Sequence, residues 1–187
     1  GARTGETPQY YTGVMDDVRI YSRALGNAEV KIISQAPVSL VHLKLDGNAS
    51  DASGNQHYGT VEGDPNWINS GRIYGALDLD GTGDYITLSG GILNPAATAF
   101  SVFTWVRPEQ ETIATYQAII QQFDEGTNFG RTLLLRTTDN KLSSSFGGSS
   151  TTTSQAIFTQ AGQWYHVGVT YDGQIITLYV NGQEGVN

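Results

Sequence analysis

A chain of 187 residues with 39% hydrophobic content is long enough for one all-β domain of the larger kind or two small ones. Glycine at 23 and charged residues at only 15% exclude a helical bundle or coiled coil, and the absence of cysteine excludes disulfides, zinc–thiolate centres and thiol nucleophiles. Ten basic against 18 acidic residues leave a net charge of −8, which repels nucleic acid and anionic membrane surfaces and suits divalent cations.

The opening residues, Gly1-Ala2-Arg3-Thr4-Gly5, carry no apolar stretch of signal-peptide type and read as the inside of a longer reading frame. Short alternating runs follow. Over Val14 to Tyr21 the alternation sets Val14, Val18 and Ile20 against Asp17 and Arg19. A turn or two of helix is predicted at Gly26 to Ile33, with Glu29 placed to reach back to the free amides, and Pro37 closes this first block. Val41, Leu43 and Leu45 then alternate with His42 and Lys44, and Leu77 and Leu79 with Ala76, Asp78 and Asp80, before Ile86 and Leu88. Further strands are predicted at 100–106, 118–122, 132–136, 142–146, 164–170 and 175–180. Turn signals such as Asp46-Gly47-Asn48, Ser53-Gly54-Asn55, Asp80-Gly81, Asp172-Gly173 and Asn181-Gly182 separate them. The serine- and threonine-rich tract 143–154 suits a strand edge with a mobile loop. About ten short strands punctuated this way read as an all-β antiparallel sandwich or jelly roll. No apolar run approaches the roughly 20 residues needed to cross a bilayer.

Several ordered motifs, together spanning nearly all of 38–187, carry a resemblance. They are Leu40-Val41-His42-Leu43-Lys44-Leu45-Asp46-Gly47, Asp51-Ala52-Ser53-Gly54-Asn55, Gly75-Ala76-Leu77-Asp78-Leu79-Asp80-Gly81 with Asp84-Tyr85-Ile86, Phe100-Ser101-Val102-Phe103-Thr104-Trp105-Val106, Trp164-Tyr165-His166-Val167 and Leu178-Tyr179-Val180-Asn181-Gly182. This set resembles the bacterial laminin G-like (LamG) family of concanavalin A-like jelly rolls. The segment Tyr11-Thr12-Gly13-Val14-Met15-Asp16-Asp17-Val18-Arg19-Ile20-Tyr21, with Ser22-Arg23-Ala24-Leu25 and Glu29, resembles the last strand and short helix of the same family. Here that closing segment comes first. The resemblance therefore implies two blocks, 1–35 as a closing strand and helix and 36–187 as the main body. Three arrangements complete the sandwich: a circular permutant, a window cut out of phase from a tandem array, or head-to-tail strand exchange with neighbouring copies that builds a filament.

Enzymes occur on this jelly roll, but the alternating Glu-x-Asp-x-x-Glu run of its glycosidases is missing. Glu109 and Glu111 follow Pro108 in a polar loop and read as a solvated edge, and no Gly-x-Ser-x-Gly elbow is present. The catalytic set is read as none. The resemblance implies a structural calcium ion on Asp16, with Asp46, Asn48 and Asp51 as partners; the other reading of Asp46 and Asp51 is that they only make turns. Asp78, Asp80 and Asp84 form a second acidic group, read either as cation ligands or as a polar outer face. Asp124 with Asn128 falls where calcium-binding relatives place a functional loop. For ligand contact the candidates are Trp67, Tyr58, Phe123, Asp124 and Asn128, because exposed rings stack on sugars while carboxylates and amides read hydroxyls. Trp105 and Trp164, inside strand motifs, are expected in the core. The resemblance as a whole implies an extracellular or cell-surface module, calcium-stabilised and non-catalytic. It would recognise glycan or protein ligands in adhesion, or else serve as a repeat unit of a surface filament.

Overall fold

The computed structural model describes residues 10–30, 39–88, 92–93, 99–122, 131–146 and 149–185. In chain order these form β1 (Thr12–Tyr21), α1 (Asn27–Val30), β2 (Val41–Leu43), β3 (Gly59–Glu62), β4 (Asn66–Ile68), β5 (Ala76–Asp80) and β6 (Tyr85–Leu88). They continue with β7 (Phe100–Pro108), β8 (Gln117–Gln122), β9 (Arg131–Arg136), β10 (Leu142–Phe146), β11 (Ser149–Thr152), β12 (Tyr165–Tyr171), β13 (Ile176–Val180) and β14 (Gln183–Glu184). One sheet has eight strands in the order β14-β13-β12-β7-β1-β5-β4, with β2 also on β1; a second has the order β11-β10-β9-β8, and β3 pairs with β6. Every pairing is antiparallel. The molecule is an all-β sandwich of concanavalin A-like type.

The strands expected from alternation form within two residues of their predicted ends. Strands β3, β4 and β14 are too short to display a period, and β11 falls in the Ser/Thr tract. The helical turn forms at Asn27–Val30, and 31–33 lie outside the described residues. Its entry is built as predicted, with Glu29 Oε2 accepting the Gly26 amide at 3.0 Å.

Strand β1 runs through the middle of the large sheet. One side pairs with β7 from Gly13↔Pro108 to Tyr21↔Ser101. The other side is shared, with Thr12–Met15 on β5 and Val18–Ile20 on β2. At the changeover the register with β7 slips between Asp16 and Arg19, a bulge that re-aims the side chains. Simple alternation therefore fails here. Met15, Val18 and Ile20 join the core, whereas Val14 is buried outside that cluster and Arg19, expected on a polar face, is buried as well.

The core lies between the sheets. Phe100 of β7, Phe146 of β10 and Tyr171 of β12 meet there, with centroid distances of 4.9 Å (Phe100–Phe146) and 4.7 Å (Phe146–Tyr171). A smaller cluster sits on the outer face of the large sheet, where α1 and the turn before it cover Phe103 and Tyr179 with Leu25 and Val30. Tyr179 Oη donates to Asn27 Oδ1 at 2.9 Å, and Ser101 Oγ donates to the Arg23 carbonyl while accepting the Leu25 amide. Trp105 and Trp164 correct the sequence expectation. Their neighbours Val106 and Tyr165 enter the core, so the period of two turns both tryptophans to the outer face, half-buried and outside the core cluster.

Candidate ligand-binding surface

The pairing of β3 with β6 sorts its residues onto two faces. Gly59↔Leu88 and Val61↔Ile86 bring Val61, Ile86 and Leu88 against the core. The alternate pairs, Thr60↔Thr87 and Glu62↔Tyr85, therefore point outward. Tyr58 continues this outward row and is 56% exposed; Tyr85 is 40% exposed, with the Tyr10 ring 6.4 Å from its own. The result is a face of phenol rings, two threonine hydroxyls and one carboxylate.

Buried carboxylates hold this face in place. Asp51 accepts the amides of His42 and Ser53 on Oδ1, and the His57 amide and Ser53 hydroxyl on Oδ2, at 2.8–3.0 Å. Its bond to His57 fixes the backbone immediately before Tyr58. Burial alone would raise the Asp51 carboxyl, but the donors from His42, Ser53 and His57 together hold it below the ordinary aspartate value. Asp84, also buried, accepts the amides of Asp64 and Asp80 and so braces the turn before Tyr85. Asp80 in turn accepts the Thr82 amide at 2.6 Å. Two members of the Asp78, Asp80 and Asp84 group thus act as turn-makers.

The expected ligand residues do not all gather here. Tyr58 lies on this face. Trp67, 38% exposed, sits on β4 opposite Leu77, at the edge of the large sheet. Phe123, Asp124 and Asn128 lie outside the described residues. Sequence reasoning did not single out Glu62 and Tyr85, which the pairing places on this face. The run Tyr85–Leu88 would have found Tyr85 had its alternation been followed, because Ile86 and Leu88 face inward.

The four residues expected around calcium divide into two pairs. Asp16, fully buried at the β1 bulge, accepts the Ile73 amide on Oδ2 at 2.9 Å, and Asp46 accepts the Gly75 amide on Oδ1 at 2.9 Å. Both carboxylates thus grip the loop 71–75, one from β1 and one from the turn after β2. Asn48 Oδ1 accepts the Ser50 amide, and the two oxygens of Asp51 take four donors. Among the described residues, no three acidic or histidine side chains gather into a metal-holding group. Glu109 and Glu111 are exposed. No helix among the described residues is long and apolar enough to cross a membrane.

Comparison with solved structures gives two likenesses. The chain is similar to domain 4 of AbnA, a GH43 extracellular arabinanase from Geobacillus stearothermophilus, in complex with arabinotriose; identity is 24%, TM-score 0.59, with 79% of this chain and 73% of that one covered. It is also similar to the binding domain of Paraclostridial Mosquitocidal Protein 1, at 15% identity and TM-score 0.55, covering 92% of this chain and 39% of that one. At these identities the likeness is one of fold. No curated protein matches the chain. Residues 80–185, more than half of the sequence, match a laminin G family. The sandwich and that match together place this chain in the laminin G family of the concanavalin A-like lectin/glucanases superfamily.

Proposed function

We propose that the chain is a non-catalytic, extracellular module that recognises glycans through the outward face of β3 and β6. The observation that carries this reading is the exposure of Tyr58 and Tyr85 beside Glu62 and two threonine hydroxyls on one face. Phenol rings cover the apolar faces of sugars, while the carboxylate and hydroxyls accept and donate to sugar hydroxyls. The arabinotriose complex of the AbnA domain, a module of similar fold within an extracellular enzyme, supports the same ligand class and setting. Titration calorimetry against neutral oligosaccharides, beginning with arabinotriose, tests it. Tyr58→Ala and Tyr85→Ala are each expected to weaken binding about tenfold, the worth of one well-stacked ring. Undiminished affinity in both variants would overturn the assignment of the face.

Calcium belongs to this proposal as a structural ion on Asp16 and Asp46, which share the loop 71–75 and supply hard oxygen ligands. Bound there, it would neutralise the two carboxylates and fasten β1 to that loop. Millimolar calcium is expected to raise the melting temperature and chelator to lower it, with the response lost in Asp46→Asn. A melting temperature indifferent to chelator sinks the idea.

A further inference from the structure

On the outer face of the large sheet, beyond the part covered by α1, aromatic and cationic side chains form a small block. His166 of β12 is the register partner of Trp105 on β7, and their rings lie 5.0 Å apart. One step along, the Arg107 guanidinium lies over the Trp164 ring at 5.4 Å. From the loop 71–75, the Arg72 guanidinium lies over the Trp105 ring at 4.7 Å. Arg72 is exposed; Trp105, Arg107, Trp164 and His166 are half-buried.

The charge of this block is out of keeping with the chain around it. The protein carries −8, and of the five exposed or half-buried cations among the described residues, Arg23 pairs with Glu29 and Lys141 with Asp139. Arg72 and Arg107 have no carboxylate partner among the described residues. Stacking on an indole holds a guanidinium flat and leaves its edge, with the N–H donors, free to fork onto a carboxylate. The guanidiniums cover the indole faces, so the forks are the recognition element, and the glycan-binding reading above makes a saccharide the carrier of that carboxylate. Asn181 extends the block on the β13 side: its Oδ1 takes the His166 amide and its side chain is exposed.

We propose that Arg72 and Arg107, on their tryptophan bed, form a second site that binds saccharides bearing a carboxylate. The inference rests on the glycan-binding reading above but uses a different face and a different ligand chemistry. The probe is tri-galacturonate, with galactotriose as its neutral counterpart and tri-glutamate as the acidic peptide, each titrated into the whole chain. Tri-galacturonate should bind, weaken as salt rises, and lose at least tenfold in affinity in Arg72→Gln and in Arg107→Gln. Arg72→Lys should lie between, since it keeps the charge and loses the planar fork. Thermal melts confirm that each variant is folded, and Lys141→Gln, between β9 and β10 on the other sheet, should leave tri-galacturonate binding unchanged. Absence of tri-galacturonate binding, equal binding of tri-glutamate, or full affinity in both glutamine variants overturns the proposal. Failure of neutral sugars at the tyrosine face, with tri-galacturonate still bound, would remove only the earlier assignment.

Discussion

Asp51 illustrates how a single side chain organises the backbone beside the outward face of β3 and β6. Four donors converge on its two oxygens, so Asp51→Ala would strand amides that the fold has already taken out of water. Such a loss is expected to cost about 2–4 kcal/mol, read from the urea midpoint. The sign of its pH dependence follows from its lowered carboxyl. The unfolded group titrates near the ordinary value of 3.8, and the folded group titrates below it. Its stabilisation is therefore complete above that ordinary value and is lost as pH falls through the folded one. Wild-type stability should accordingly drop, as pH falls below the ordinary value of 3.8, by more than that of Asp51→Asn, as measured by urea titrations at each pH. Sequence alone offered both a metal-ligand and a turn-making reading for Asp51, because a lone carboxylate before Ser-Gly fits either. Arg136 was invisible at that level. It ends a predicted strand, yet it is fully buried, with Nη2 donating to the carbonyls of Gln110 and Glu111 and to Asn140 Oδ1. No local pattern announces a guanidinium satisfied by acceptors some 25 residues away in the chain.

At the scale of the element, alternation made most of the sandwich legible, since a strand with one face buried must place its apolar residues two apart. It failed where geometry breaks the period. The bulge in β1 reassigned Val14 and Arg19, and Trp105 of β7 and Trp164, just before β12, turned outward because valine and tyrosine neighbours already filled the core positions. Close approach between β12 and β7 supplies a sharper test. Gly168 pairs with Phe103, and a β-carbon added there would run into the Phe103 ring, which α1 pins from above. Gly168→Ala is expected to destabilise by about 2 kcal/mol, shifting the urea midpoint without changing the slope. A neutral result would mean that Phe103 can swing aside and that α1 is less firmly seated than its contacts with Tyr179 and Ser101 indicate. The face proposed for glycans was only half legible at this scale. Tyr58 stood out as a loop aromatic, whereas Glu62 and Tyr85 acquired a role only once β3 and β6 were brought into register.

For the whole molecule the decisive element is β1. In this structure it fills the position between β5 and β7 of its own chain. A chain that closes on itself in this way should behave as a compact monomer of 20.1 kDa. Light scattering should return that mass at every dilution. Species of higher mass that persist on dilution would instead favour exchange of β1 between copies, and with it the filament reading. The three arrangements drawn from the order of motifs differ only in whose β1 occupies the slot, a question of connectivity that local residue patterns do not encode.

The same placement also sets an order on synthesis. Strand β1 is synthesised well before its longest partner, β7 at residues 100–108, so its central ladder must wait until β7 has followed it. During that interval β2 and β5 can close one edge of β1, while the edge that β7 will cover stays open. Every newly made copy therefore passes through a window in which a nearby nascent chain competes for the same slot. The window should narrow when translation is sparse and widen when many ribosomes share one message.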